Sequence, residues 1–246
     1  MGRTAALLGL CVGLGAYYVW SDSLPDLSSW GDVVFLGLLV IPAVFALVYL
    51  ALPIRRARHL LLWGAGIALL AAALEILDFD VLANFAKLAA VTLLAFWFLS
   101  FFETAAWVTV VALIIPWVDA ISVWRGPTKH IVTKQPELFT TFSFAFPVPG
   151  EENTAQLGLP DLMFFALFLG ACDRWSLRTK LTWATMALSF GATLALTVAY
   201  DIGGLPALPL LALGFLMPNA DILWRRLRAE NAWGSIRSER SDAAGP

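Results

Sequence analysis

Two aspartates stand where an apolar chain has least use for them. Asp119 falls in the run AAWVTVVALIIPWVDAISVW, and Asp161 opens the next apolar run, GLPDLMFFALFLGAC. A carboxylate in hydrocarbon costs about 3 kcal/mol on insertion scales, so an ionisable residue inside a span marks a functional site first. Two carboxylates held close together cannot both ionise; they share a proton, and the titration belongs to the pair. Such a pair supplies both halves of acid–base hydrolysis, because the ionised partner takes a proton from water while the protonated one polarises the carbonyl under attack.

The elements that must position them are transmembrane helices. Of the 246 residues 60% are hydrophobic and 14% charged, against roughly 25% charged in a soluble domain, and the mean hydropathy is +0.78. Reading apolar runs of about 17 to 25 residues as spans gives eight, roughly 4–20, 33–52, 59–77, 81–102, 105–124, 158–172, 181–200 and 205–224. The expected fold is therefore all-α, a polytopic bundle forming one domain over 1–224. It divides into N-terminal helices 1–102 and a half holding both aspartates, 103–224, followed by a flexible tail, 225–246. Tyr17, Tyr18 and Trp20 read as an interfacial belt closing an uncleaved first helix rather than a signal peptide.

Lys and Arg collect on alternate connections, at Arg3, at Arg55, Arg56 and Arg58, at Arg174, Arg178 and Lys180, and from Arg225 onward. By the positive-inside rule both termini are cytoplasmic, and the long connection 125–157 faces outward despite Arg125, Lys129 and Lys134. Compact loops point to a prokaryotic cell membrane. Asp119 and Asp161 then lie on consecutive helices within roughly 10 Å of the same outer boundary. In the long connection, TFSFAFPV puts Phe142, Phe144 and Phe146 on one face of a short extended strand, or of a loop resting on lipid.

Other polar residues point elsewhere. A net charge of -2 and the absence of a basic, aromatic-interleaved patch exclude nucleic acid as a partner. Cys11 and Cys172 lie in separate spans with no CxxC, His59 and His130 have no ligand spacing, and neither a metal nor a cofactor is expected. Glu75, Asn84 and Lys87 read as structural polar positions, with Lys87 snorkelling or pairing to Glu75 or Asp78. Asp201 reads as a turn residue and Asp221 as a partner of Arg225.

A third segment shares the depth of the aspartates. In DIGGLPALPLLALG, Pro206 and Pro209 lack N–H groups, so the backbone around Leu205 and Leu208 is irregular. Irregular backbone at membrane depth is tolerated where it lines a cavity. Taken in order, WVDAISVWRGP, LGLPDLMFFALFLG and GGLPALPLLALG resemble the presenilin and signal peptide peptidase family of intramembrane aspartyl proteases over roughly residues 103–217. That family carries Tyr-Asp in one helix, Gly-x-Gly-Asp at the start of the next and Pro-Ala-Leu at the start of the last. The resemblance implies that Asp119 and Asp161 are the catalytic pair. It also implies that Gly158, Pro160, Pro206, Ala207 and Leu208 shape the substrate site, and that the implied partners are transmembrane segments of substrate proteins in membrane lipid.

The chain departs from the family at Val118, which stands for Tyr, at Pro160, which stands for the second Gly, and in having one span fewer than the usual nine. A cytoplasmic C-terminus with an outward catalytic loop looks like signal peptide peptidase, implying remnant signal peptides or type II membrane proteins as substrates. Cleaving a helix requires unwinding it and re-satisfying its backbone. The strand Thr141–Val148 with Phe144 and the turn Leu205–Leu208 are the expected flanking surfaces. Two further readings stay open: a proton-coupled transporter using the same carboxylates as a relay, and a catalytically inactive family member that binds membrane helices, for which Pro160 speaks. Neither substrate identity nor oligomeric state is legible.

Overall fold

The computed structural model describes residues 2–125, 140–201 and 205–243. Helices occupy the expected spans in order. Helix α1 (Gly2–Trp20) precedes α2 (Ser29–Phe35), which passes through a π-helical turn (Leu36–Val40) into α3 (Ile41–Ala51). The slip has a local cause: Pro42 offers no N–H, and the Ile41 N–H bonds back to the Leu36 carbonyl, five residues away. Next come α4 (Leu60–Ile76), α5 (Asp80–Leu99) and α6 (Ala105–Arg125). A hairpin of β1 (Ser143–Pro147) and β2 (Thr154–Gly158) runs directly into α7 (Leu159–Arg174), followed by α8 (Thr179–Tyr200) and α9 (Leu208–Ala243).

Among the described residues, five segments are long and apolar enough to cross a membrane: Gly2–Ser23, Ser29–Arg56, Asp80–Leu99, Ala105–Val123 and Thr179–Tyr200. The chain is thus a helical membrane protein by length and composition. The other three expected spans are helices as well, but α4 has only 17 residues. Helix α7 has 16, with Asp161, Asp173 and Arg174 among them, and α9 interrupts its apolar stretch with Pro218, Asn219 and Asp221. The α9 backbone stays helical past Trp224 to Ala243, through the segment expected as a tail.

Helix α7 is the centre of the bundle. Every residue from Phe165 to Cys172 is buried, as expected of a helix that is apolar all round. Phe165 stacks on Phe45 of α3 at 4.1 Å between centroids, and Phe168 stacks on Phe215 of α9 at 4.7 Å. Where α8 crosses the π turn the backbones nearly touch, and a Cβ on Gly37 would lie 3.1 Å from Gly191 Cα. Such small-residue crossings let membrane helices pack without an apolar driving force. Asn219 of α9 joins three helices: its Nδ2 donates to Thr182 Oγ1 at 2.7 Å, its Oδ1 accepts from the Arg178 N–H at 3.0 Å, and it lies 3.9 Å from Cys172 Sγ. Both cysteines are free.

The basic connections converge on one end of this bundle. Arg3 donates to the Tyr49 and Leu50 carbonyls in the last turn of α3. Arg55 pairs with Asp173 at 2.5 Å, Arg174 donates to the Leu99 carbonyl, and Arg178 pairs with Asp221, which also meets Arg225. At the opposite end lies the hairpin, whose turn packs on the α1–α2 connection. Gly150 adopts φ +74° there and donates to the Ser21 carbonyl, and a Cβ on it would collide with Asp26 backbone at 2.7 Å. Both its conformation and its contact exclude other residues.

Candidate active site

Asp161 occupies the third position of α7, after Gly158 as N-cap, Leu159 and Pro160. A carboxylate at that position reaches back to the N-cap N–H, here Gly158, and stabilises the helix start. The absence of a side chain on Gly158 is what permits it: a Cβ there would lie 3.2 Å from Asp161 Oδ2. Pro160 sits in the first turn, where its missing N–H is unneeded and its fixed φ suits the helix. The departure at Pro160 therefore costs the helix nothing.

Asp119 projects from α6 three residues after Pro116, inside the helix. Its Oδ2 accepts the Leu208 N–H at 3.1 Å. Leu208 opens α9, and Pro209 follows as a second residue without an N–H, so Asp119 caps the last helix from a neighbouring one. Leu205 to Ala207 are non-helical as expected, while Leu208 already belongs to the helix. The side chains of Ala207 and Leu208 are buried, so this turn meets Asp119 through its backbone. Val118 is 52% exposed on the outer face of α6, so the position where the family has Tyr turns away from Asp119.

The three motifs thus converge at the hairpin end of the bundle. Both aspartates are half-buried, and α9 presents its N-terminal dipole to Asp119. Helix α6 packs chiefly on α9 and only slightly on α7. Its flank is apolar and open, with Trp117 and Ile121 exposed.

The hairpin corrects one expectation and sharpens another. A strand does form, over Ser143–Pro147, but Phe144 is fully buried, packed against Tyr18, Phe85 and Phe146, while Phe142 is 65% exposed. Phe144 is therefore a core residue and not a substrate contact. The outer edge of β1 is also occupied: Asn84 Nδ2 donates to the Ala145 carbonyl at 2.8 Å, and the Ala145 N–H donates to Asn84 Oδ1 at 2.9 Å. One side-chain amide thus takes the place of a neighbouring strand. Tyr18 donates to the same carbonyl at 2.8 Å and Tyr17 to that of Pro147 at 2.5 Å, so these tyrosines hold the hairpin instead of forming a lipid belt. Lys87 pairs with Glu75 at 3.0 Å and reaches the Thr140 carbonyl.

The free edge belongs to β2. Leu159 donates to Phe142 and Val148 to Asn153, and the register sets Phe144 opposite Leu157 and Phe146 opposite Ala155. With Ala145 turned outward on β1, alternation turns the backbone groups of Thr154, Gln156 and Gly158 outward on β2. Among the described residues none bonds the N–H or C=O of Thr154 or Gln156. Gln156 also links the two strands, accepting from Ser143 Oγ and donating to Thr154 Oγ1. This edge ends three residues from Asp161.

The remaining polar residues fall as structure. Asp201 is a left-handed C-cap, Asp221 has its ion pairs, and no group able to hold a metal occurs among the described residues. His130, Lys129 and Lys134 lie outside the described residues. No protein-family model matches the chain, and no curated protein matches it in sequence. Fold and site together define a helical membrane protein with two carboxylates on neighbouring helices beside an open strand edge.

Proposed function

We propose that the chain is an intramembrane aspartyl endopeptidase of the presenilin and signal peptide peptidase type, with Asp119 and Asp161 as its catalytic pair. One observation supports the proposal: the Leu208 N–H donates to Asp119 Oδ2 at 3.1 Å, which joins the first and third motifs, and α6 also touches α7, the helix that Asp161 opens. In the reaction, one carboxylate takes a proton from water as the oxygen attacks the scissile carbonyl, while the other, protonated, donates to the carbonyl oxygen. Collapse of the tetrahedral intermediate breaks the C–N bond, and the amine leaves with a proton returned by the pair.

Substrate pairs with the outward edge of β2 at Thr154 and Gln156, which supports an unwound stretch of helix and leads it toward Asp161. The protein spans its membrane eight times with both termini cytoplasmic and the hairpin end outward. It acts on spans whose N-terminus is cytoplasmic, in a prokaryotic cell membrane. The capping roles favour a second reading, in which both carboxylates serve only the helices they cap and the protein binds membrane helices without cutting them.

Purified protein in lipid vesicles with a single-span type II substrate separates these readings. Cleavage by wild type, abolished in Asp119→Asn and Asp161→Asn, supports the protease. A silent wild type supports the helix binder. Proton flux without cleavage, lost in both variants, supports a transporter.

A further inference from the structure

At the basic end, opposite the candidate active site, two cavities adjoin. One of about 510 Å³ is lined by Arg3, Tyr49, Asp173, Arg178 and Lys180 among others. The second, about 390 Å³, lies between α3 and α8 and is lined by Ala46, Leu50, Trp183 and Ala184. Tyr49 and Lys180 border both. The first carries surplus positive charge. Asp173 is neutralised by Arg55, and Arg178 by Asp221, whereas Arg3 donates only to uncharged carbonyls and Lys180 has no ion pair among the described residues.

Next to this charge the second cavity is apolar, walled by Ala46, Leu50, Ala184 and the Trp183 ring. From Lys180 to Trp183 and Ala184 is about one helical turn, roughly 5 Å deeper into the bundle. Charge at the boundary and an apolar groove one turn in match the order of a phospholipid, phosphate first and acyl chain beyond. Basic pockets between helices recognise anionic headgroups in this way.

We propose that these joined cavities bind one anionic glycerophospholipid. Arg3 and Lys180 hold its phosphate, and one chain lies along the groove between α3 and α8, against the Trp183 ring. The lipid then bridges α1 and α3 to α7 and α8, the N-terminal helices to the half that carries both aspartates. This site is independent of the proteolytic reading.

The test titrates the full chain in detergent with phosphatidylglycerol and with phosphatidylcholine of the same chains, reading bound lipid by native mass spectrometry. Wild type should hold one phosphatidylglycerol at least tenfold more tightly than phosphatidylcholine. Lys180→Gln, which leaves the Arg3 contacts to α3 in place, and the Arg3→Gln/Lys180→Gln pair should reduce that preference about fivefold and tenfold or more. Arg228→Gln, at the Trp224 ring outside both cavities, should not change it. Equal affinity for the two lipids, or an unchanged preference in the folded double variant, overturns the proposal. So does displacement of phosphatidylglycerol by millimolar inorganic phosphate, which would assign the pocket to a free anion.

Discussion

Asp119 and Asp161 each make a contact that a soluble protein would assign to an ordinary helix cap. Asparagine keeps an acceptor oxygen at these positions and alanine does not, which separates stability from chemistry. Thermal unfolding of Asp119→Ala should show a loss of about 1 kcal/mol, and Asp119→Asn should stay near wild type, since a lost N-terminal cap costs roughly that much. Gly158→Ala should push on Asp161 Oδ2 and lower peptide cleavage about tenfold to a hundredfold while the protein stays folded, because small misplacements of a catalytic group are expensive. The types and order of these residues were legible, since carboxylates in apolar runs have few structural uses. The Leu208 N–H was not, because backbone donors carry no sequence label; only the two flanking prolines hinted at it. From sequence Asn84 is a structural polar position and Tyr18 part of an interfacial belt, because their partners lie on a strand more than sixty residues away along the chain.

The helices were legible as elements because an apolar run of spanning length has one stable form in lipid. The hairpin was half legible. Alternating phenylalanines announced β1, but the same alternation that forms a strand also aims its apolar face at a core, and Phe144 and Phe146 were taken there. Strand β2, TAQLG, is short and has only Ala155 and Leu157 on its apolar face, too few to announce a strand although it holds the open edge. Gln156 sits at a register position whose N–H points away from β1, so Gln156→Pro removes an outward donor without breaking the ladder within the hairpin. Cleavage should fall about fivefold to tenfold, while Gln156→Ala, which keeps the N–H, should stay within about twofold; equal rates would remove β2 as the docking edge. Asn84→Ala should leave the Ala145 N–H unpaired while its carbonyl keeps Tyr18, destabilise the hairpin by about 1–3 kcal/mol and speed its amide hydrogen exchange.

The whole molecule has two chemically distinct ends. Arginines cap carbonyls and bind aspartates at one, while the hairpin, the Asp119–Leu208 contact and the acidic α1–α2 connection gather at the other. This polarity was legible in the spacing of Lys and Arg, whereas α7 as the buried centre was not, since its sequence is no more apolar than its neighbours'. In a Cys11→Ala/Cys172→Ala background, Asn153→Cys should react with an impermeant thiol reagent from outside intact cells and Arg58→Cys only after permeabilisation; the reverse pattern would invert the substrate class. The central claim is hydrolysis by the two aspartates, and the most direct measurement is cleavage of a type II span in heavy-oxygen water, with product termini read by mass spectrometry. One heavy oxygen should enter the new C-terminus with wild type, and no product should form with Asp119→Asn or Asp161→Asn. Undiminished product from either variant would contradict the account.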